Sequence, residues 1–157
     1  MITWPTQAQA DSFYGNPHGQ NGKASPKWEK QNLAEASPPF KIYFANKEVK
    51  KFKIHHKCAP SLARILQVIW QASEQDQSKI DSWGVSIFGG SYNFRLMRGS
   101  NHLSMHAYGC AIDLAPERFQ MGNSTPEFCT EVRAAFAGEG WVNLAHDRMH
   151  FQAALVK

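Results

Sequence analysis

The sequence predicts an α+β fold, in which a small antiparallel sheet is flanked by helices within one domain. Helix-like and strand-like segments alternate along 157 residues, a length typical of one domain. The strand-like segments are connected more naturally by hairpins than by parallel crossovers. A composition of 43% hydrophobic and 19% charged residues is that of a globular chain. We therefore expect residues 1–157 to form a single domain.

The first part of the chain predicts an irregular arm followed by two strands. Residues 1–40 are rich in Pro, Gly, Asn and Ser, but scattered aromatic side chains should pack this arm onto the domain. Residues 41–44 and 49–54 alternate apolar residues with lysines, as short strands do. A hairpin turning at Asn46 would connect these two strands.

Two helices and three later strands complete the predicted fold. Residues 60–77 form the clearest helix, because Leu62, Ile65, Leu66 and Ile69 recur at helical spacing. A second helix is expected over residues 126–137, with an N-cap before it and a glycine after it. These flanking residues are Thr125 and Gly138. The strand-like segments are residues 83–94, 141–144 and 149–153.

The net charge of +4 is distributed unevenly. Residues 1–57 carry nine lysines against four acidic residues, and six of the lysines lie between Lys41 and Lys57. Such a stretch favours anionic surfaces, although a solvated strand face is the simpler interpretation. Because no nucleic-acid-binding motif accompanies it, we expect no nucleic acid partner. No apolar stretch approaches the length of a membrane span, so we expect no membrane partner. We also expect a monomer.

The cysteines and the N-terminus indicate the compartment in which the chain is made. Cys58, Cys110 and Cys129 are odd in number and share no CxxC spacing, which argues against a disulfide framework and a thiolate zinc site. The first residues lack the charged and apolar regions of a secretory signal. We therefore expect synthesis in a reducing cytoplasm.

Histidines concentrate in two short segments that carry the chemistry. Four of seven histidines lie between residues 102 and 150, and three of these fall in the segments SMHAYGCAIDL (residues 104–114) and HDRMHF (residues 146–151). His106 precedes a predicted strand in which Gly109, Ala111 and Asp113 alternate, so small side chains would leave room beside Asp113. His150 begins another predicted strand, and Asp147 lies near the turn before it.

These residue types predict a catalytic zinc site. Two imidazoles and one carboxylate make a three-ligand site, whose open fourth position distinguishes catalytic from structural zinc. The metal would lower the pKa of a water molecule, and the spare carboxylate of Asp147 could accept its proton. The ligand set also suits iron or cobalt. The combination favours a hydrolase.

Several neighbouring residues have alternative interpretations. His102 and His106 are four residues apart and could bind zinc from a helix, but the surrounding glycines favour a loop at the mouth of the site. Ser104 lacks a nucleophile-elbow motif, so a turn or supporting hydroxyl suits it better. Asp147 could instead be a turn former. Structural roles are expected for His55 and His56, and the role of His146 stays open.

The two segments resemble a known family of zinc peptidases. S-x-H-x-x-G-x-A-x-D is complete from Ser104 to Asp113, and D-x-x-H-F spans Asp147 to Phe151, with Trp141 upstream. This pattern is similar to the D-Ala-D-Ala carboxypeptidase and L-alanyl-D-glutamate endopeptidase family (peptidase family M15), especially its compact phage-endolysin-like branch. The signalling domain of Hedgehog is a distant structural relative of that family.

The resemblance implies a function and assigns residues to it. His106, Asp113 and His150 would be zinc ligands, and Asp147 would be the catalytic acid and base. An arginine upstream of the first motif would contact the substrate, with Arg95 as first candidate. Arg98 is the alternative, and Ser104 and His102 are further candidates for substrate binding. The substrate would be the peptide stem of bacterial peptidoglycan.

The exact activity stays open among related possibilities. Asp147, where the carboxypeptidase branch has Glu, favours an L-alanyl-D-glutamate endopeptidase, and a D-Ala-D-Ala carboxypeptidase is the alternative. A non-catalytic zinc-containing module that binds cell wall or protein is a second hypothesis, and a basic DNA-binding protein is a third. By analogy with endolysins, the enzyme would reach the cell wall after lysis or through a pore.

Overall fold

The computed structural model of the protein describes residues 3–156, so the first two residues of the predicted arm and the C-terminal Lys157 lie outside it. Within that range the chain forms five α-helices. They are α1 (Ala10–Tyr14), α2 (Pro26–Asn32), α3 (Ala59–Ala72), α4 (Gln77–Trp83) and α5 (Thr130–Gly138). The strands are β1 (Leu33–Ala36), β2 (Tyr43–Phe44), β3 (Lys47–Glu48), β4 (Phe52–His55), β5 (Phe88–Gly90), β6 (Ala111–Leu114), β7 (Val142–Leu144) and β8 (Asp147–Gln152).

The strands form three antiparallel sheets. The largest has the order β5-β6-β8-β7, and the two smaller ones pair β1 with β4 and β2 with β3. Helices α3 and α5 pack against each other, and α5 also contacts β7. This arrangement confirms the predicted α+β class with a small antiparallel sheet and flanking helices.

One apolar core joins the helices to the largest sheet. Ile65 and Ile69, on the predicted apolar face of α3, are fully buried. Phe136 of α5 stacks on Phe151 of β8 with ring centroids 3.8 Å apart. Offset aromatic contacts of this kind add to the stabilisation from burying apolar area. The core therefore fixes β8, the strand that carries the second histidine segment.

The N-terminal arm differs from the prediction. Although residues 1–40 were expected to be irregular, the described part holds α1, α2 and β1. Ser25 caps α2, because its hydroxyl oxygen accepts the backbone N–H of Trp28 at 3.2 Å. The Ser-Pro pair at the start of this helix is a helix-start signal, which the overall composition of the arm does not reveal. The expected packing of the arm is confirmed, since Trp4, Tyr14 and Trp28 are buried.

The predicted bounds of both long helices are wrong at one end. Helix α3 ends at Ala72 rather than near residue 77, because Glu74 and Gln75 adopt left-handed conformations. Helix α4 then begins after Asp76, whose carboxylate accepts the N–H of Ser78. Helix α4 includes residue 83, the first residue of the segment predicted as strand 83–94. Within that segment the strand is β5.

Helix α5 starts at Thr130, four residues after the predicted start, and Thr125 is not its N-cap. The preceding segment instead buries Phe128, whose ring stacks on Phe119 at 3.8 Å. Arg133 also donates from Nε to the carbonyl oxygen of Phe128. These contacts favour a non-helical segment over continuation of the helix. The helix includes Gly138, which was expected to follow it.

The strands of the first predicted hairpin pair differently from the prediction. Its turn does include Asn46, but the paired strands are β2 and β3, of two residues each. The predicted strand 49–54 is largely β4, which pairs with β1 of the arm. On β4, Phe52 and Ile54 are buried and Lys53 is exposed, so the predicted alternation is confirmed for this strand, whereas Phe44 of β2 is exposed. The last two strands, β7 and β8, match the predictions to within two residues at each end.

The lysine-rich stretch is partly neutralised by nearby groups. Lys51 forms an exposed ion pair with Glu35 at 3.3 Å, and Lys57 donates to the carbonyl oxygen of Phe13 at 2.6 Å. The ion pair offsets the charge of Lys51, whereas the neutral carbonyl of Phe13 orients Lys57 and leaves its charge in place. None of the helices within residues 3–156 is long and apolar enough to cross a membrane.

His55 at the end of β4 is fully buried and has a structural environment, as predicted. Its Nε2 lies 2.9 Å from the carbonyl oxygen of Tyr14, and its Nδ1 accepts the N–H of Lys57 at 3.1 Å. Burial lowers the pKa of His55 to about 4. The neutral ring satisfies both contacts, since it has one donor and one acceptor.

The low pKa of His55 predicts that acid destabilises the fold. The unfolded state binds this proton near pH 6.5, whereas the folded state binds it near pH 4. Stability should therefore fall as the pH drops below 6.5, by about 2 kcal/mol at pH 5 and about 3 kcal/mol at pH 4. Urea unfolding at pH 7 and pH 5 measures this loss.

Two histidine variants separate this effect from other acid-sensitive groups. His55→Gln is expected to lose most of the pH dependence, whereas His56→Gln, at an exposed neighbouring position, should retain it. The same free-energy difference between pH 7 and pH 5 in both variants would contradict the role of His55.

Candidate metal centre

Strands β6 and β8 bring two of the predicted ligands together. Asp113 of β6 lies directly opposite His150 of β8 in the antiparallel register. Directly opposed residues of an antiparallel pair place their side chains on the same face of the sheet, within contact distance. Their predicted proximity therefore follows from the strand pairing alone.

The third predicted ligand, His106, comes from a 3-10 turn over Met105–Tyr108, just before β6. The hydroxyl oxygen of Ser104 accepts the backbone N–H of His106 at 3.2 Å and begins this turn. Ser104 is buried, so its structural contribution is to fix the backbone that carries the ligand. This contact matches the expectation of a turn or supporting hydroxyl for Ser104.

Gly109 has a different role from the one predicted. It adopts a left-handed conformation with φ of +70°, and a Cβ atom there would lie 2.9 Å from the backbone nitrogen of His55. Its carbonyl oxygen also accepts the N–H of His55 at 2.7 Å. The missing side chain thus permits close approach of β4 and does not leave room for a metal or substrate. The expectation of open space above Gly109 is wrong.

The three side chains converge on one point. His106 Nε2 and His150 Nδ1 are 3.2 Å and 3.1 Å from Asp113 Oδ1, and 3.1 Å from each other. Ligands at zinc distances of 2.0–2.1 Å in a tetrahedron would be about 3.3 Å apart. The observed separations therefore suit a zinc ion with three protein ligands. Within residues 3–156 no other set of three potential ligands converges, which leaves His102 outside the group.

Hydrogen bonds on the far side of each ring orient the two histidines. His106 Nδ1 lies 2.7 Å from the carbonyl oxygen of Ser91, and His150 Nε2 lies 2.8 Å from the side-chain Oε1 of Gln152. The Gln152 amide is itself oriented, because its nitrogen donates to the carbonyl oxygen of Ala154 at 2.9 Å. Both acceptors require a proton on the outer ring nitrogen. The inner nitrogens then present lone pairs, as metal ligation requires.

The electrostatics of the cluster favour a bound cation. Two nitrogen lone pairs and a carboxylate oxygen lie within 3.2 Å of one another in a largely buried site. Burial alone would raise the pKa of Asp113, but protons on the inner nitrogens of His106 and His150, where a cation would otherwise sit, outweigh burial and hold that pKa below its usual range. Asp113 therefore stays ionised and offers a negative charge to a metal. His106, Asp113 and His150 fit zinc in number, type and orientation.

A distortion of β8 places Asp147 beside the ligands. Leu144 pairs with Asp147, whereas the preceding residue, Asn143, pairs with Phe151, so the register shifts between them. The side-chain amide of Asn143 donates to the carbonyl oxygens of Arg148 and His150, both at 2.9 Å. In a regular strand, residues three apart face opposite sides, but a bulge re-aims a side chain. Asp147 and His150 consequently line the same cavity.

The carboxylate of Asp147 has the environment of a proton acceptor. Its Oδ1 and the Oδ1 of Asn143 are the two buried side-chain oxygens within residues 3–156 that lack a hydrogen-bond partner. Burial raises the pKa of Asp147, and the Asp113 charge acts in the same direction, whereas His150, His106 and Arg95 oppose it. A carboxylate with a raised pKa and a free buried oxygen is suited to accept a proton at this site.

The ligands open into a cavity of about 330 Å³. Arg95 and Arg98 are exposed and both line it, so the structure brings both candidate arginines to the site. His102 instead lines an adjoining cavity and is exposed there. His146 is also exposed, and only its carbonyl oxygen makes a contact, from the N–H of Gly122.

Three supporting residues were missed by the analysis of motifs. Gln152 orients His150, Asn143 supports the distorted strand, and Ser91 supplies the carbonyl that orients His106. Gln152 could have been found, because a residue two positions after His150 lies on the same strand face. Asn143 and Ser91 act through backbone groups that no sequence pattern reveals.

The position of Gln152 predicts a specific effect on metal binding. Gln152→Leu removes the acceptor that fixes the tautomer of His150, so zinc affinity is expected to fall about 10–100-fold. Competition with a chromophoric chelator measures this affinity without requiring activity. Gln71→Leu on the exposed side of α3 is the matched control. Equal zinc affinity of the two variants would show that Gln152 does not orient the ligand.

Comparison with known proteins identifies one match. Residues 98–153 match a family model described as D-alanyl-D-alanine carboxypeptidase. This segment contains the three converging side chains and Asp147. Neither a search of curated proteins nor a search of solved structures returns a match.

Proposed function

We propose that the chain belongs to the D-alanyl-D-alanine carboxypeptidase family of peptidases (M15), which its match over residues 98–153 supports, and that it is a zinc-dependent peptidase of bacterial peptidoglycan. The observation that carries this proposal is the convergence of His106, Asp113 and His150 beside an unpaired Asp147. A structural zinc site would close its fourth position with another protein ligand. Here the ligands instead open into a cavity large enough for a peptide segment.

The proposed reaction is hydrolysis of a peptide bond. When bound, zinc supplies Lewis-acid chemistry, which polarises the scissile carbonyl and lowers the pKa of water to about 7. Asp147 accepts a proton from the attacking water and donates it to the nitrogen of the leaving amine. One carboxylate serves both steps because the water gives up the proton that the amine requires. The raised pKa of Asp147 favours uptake of this proton and brings the carboxyl closer to the pH at which one group can act both as base and as acid.

Arg95 and Arg98 provide positive charge at the cavity. Arg95 is close enough to Asp147 for its charge to lower the pKa of that carboxyl. A guanidinium can bind a substrate carboxylate with two parallel hydrogen bonds or stabilise a developing oxyanion. We assign this role to Arg95 first and to Arg98 as its alternative.

Two cleavage specificities are compatible with this site. We favour an L-alanyl-D-glutamate endopeptidase of the endolysin type, because residue 147 is Asp and because a second cavity adjoins the metal cavity. A D-Ala-D-Ala carboxypeptidase is the second candidate, favoured by the description of the matched family. An endopeptidase needs room for substrate on both sides of the scissile bond, whereas a carboxypeptidase needs it mainly on one.

Mass spectrometry of digested peptidoglycan tests the proposal and names the bond. We expect the zinc-loaded protein to release products with a new glutamate amino terminus, and the Asp147→Asn variant to release almost none. Loss of terminal D-Ala would identify the carboxypeptidase instead. If walls of several chemotypes gave no product with zinc confirmed in the protein, peptidase activity would be contradicted and a non-catalytic binding module favoured.

A further inference from the structure

A second cavity adjoins the metal site. It measures about 430 Å³ and shares three wall residues with the metal cavity, namely Gln7, Met97 and Met105. The two cavities therefore adjoin each other with these three side chains between them, and we refer to the pair as the groove. A peptide bound at the metal ligands could extend a side chain or several backbone atoms into the second part.

The second part of the groove has apolar walls and one carboxylate. Leu103 and Val156 contribute apolar surface, and Asp11 of α1 provides the negative charge. Asp11 forms no ion pair within the described part of the chain, where the close acid–base pairs involve other carboxylates. An aliphatic chain ending in a cation is the ligand that such a surface fits, because its methylenes contact the apolar walls and its charge meets the carboxylate.

Tyr108 holds the Asp11 carboxylate in place. Its hydroxyl donates to Asp11 Oδ1 at 2.5 Å, and the Tyr108 side chain is buried. This bond uses one carboxylate oxygen and leaves Oδ2 for a ligand. A charged acceptor that is already oriented loses less conformational freedom when it binds.

The two arginines and Asp11 lie in different parts of the groove, and the two carboxylates of the metal cavity, Asp113 and Asp147, are assigned to the metal and to proton transfer. Arg95 and Arg98 line the metal cavity, and Asp11 lines the adjoining one. A peptide with a carboxylate near the scissile bond and an ammonium farther along would complement this pattern. His102, expected from sequence to bind substrate, also lines the part that contains Asp11.

We propose that Asp11, held by Tyr108, forms a subsite for the side-chain ammonium of a diamino residue in the substrate peptide. The methylene groups of that residue lie against Met97 and Leu103, and the ammonium is bound by Asp11. This inference rests on the proposed function, because it assigns a specificity subsite to the same groove. It makes Asp11 a substrate-binding residue that is remote from the metal ligands in sequence.

Acetylation of the substrate amine tests the subsite. Soluble stem peptides are prepared in two matched forms, with the side-chain amine either free or N-acetylated. For the zinc-loaded wild type, acetylation is expected to lower kcat/KM at least about tenfold, the effect of losing one charged hydrogen bond. Asp11→Asn should cleave both forms with similar kcat/KM, whereas the control Asp81→Asn, at an exposed position of α4, should keep the wild-type preference.

Tyr108→Phe provides a second variant with a smaller change. It leaves the Asp11 charge in place but frees the carboxylate, so an intermediate preference for the free amine is expected. Equal kcat/KM for both forms in the wild type, or an unchanged preference in Asp11→Asn, would overturn the subsite while leaving the peptidase activity intact.

A binding measurement separates failure of the subsite from failure of the peptidase proposal. Calorimetry with the Asp147→Asn protein compares the two forms of the peptide without turnover. We expect the free amine to bind at least about tenfold more tightly. Equal affinities, or binding of neither form, would overturn the subsite. The same preference in a protein that cleaves neither peptide would support the subsite and contradict only the proposed hydrolysis.

Discussion

Replacing Asp147 with Asn is expected to lower the rate of stem-peptide cleavage by about 10²–10⁴-fold while zinc binding is retained. The amide keeps the shape of the side chain, but it cannot accept a proton from water or return one to the leaving amine. Asp147 is not among the three converging ligands, so metal affinity should change little. Single-turnover cleavage, together with zinc analysis of the same sample, measures both quantities.

A carboxylate elsewhere on the protein provides the control for this variant. Glu117→Gln at an exposed position should have wild-type turnover. Turnover of Asp147→Asn within about twofold of the wild type would remove Asp147 from the proton-transfer steps, whatever its effect on stability.

Replacing Asp113 with Asn is expected to weaken zinc binding by more than about 100-fold, a larger effect than loss of an outer hydrogen bond. Asp113 supplies the only negative charge among the three ligands, and its Oδ1 lies 3.1–3.2 Å from both histidine nitrogens. The neutral amide removes this charge. Because binding to the folded state stabilises it, the variant should also lose the rise in Tm that zinc gives the wild type.

The two aspartate variants are designed as a pair. Asp113→Asn should lose zinc and activity together, whereas Asp147→Asn should lose activity alone. Tight zinc binding by Asp113→Asn, at the wild-type affinity, would show that the metal is held elsewhere and would contradict the assigned site.

The convergence of the three predicted ligands was predictable because their spacing reflects strand geometry. His106 just before β6 and Asp113 within it, followed by His150 on a later strand, needed only antiparallel pairing to converge. The apolar face of α3 was predictable for a similar reason, since its spacing depends on one helix.

Features that depend on tertiary contacts were not predictable. The start of α5 depends on burial of Phe128 against Phe119, a contact with a residue outside the helix that the helical spacing does not reveal. Gly109 was assigned to an open site because its closeness to His55 arises from another sheet. The side-chain direction of Asp147 depends on a bulge that Asn143 stabilises. Regular period-two alternation would place the Asp147 side chain on the sheet face opposite to His150.

The central claim is that one zinc ion held by His106, Asp113 and His150 makes this protein a peptidase. Titration of the metal-free protein with zinc, with cleavage of stem peptides followed by mass spectrometry, tests it most directly. We predict that cleavage rises from the background level to a plateau at one zinc per chain, and that Asp113→Asn stays at background over the same range. Full cleavage by the metal-free protein in the presence of chelator would contradict the claim.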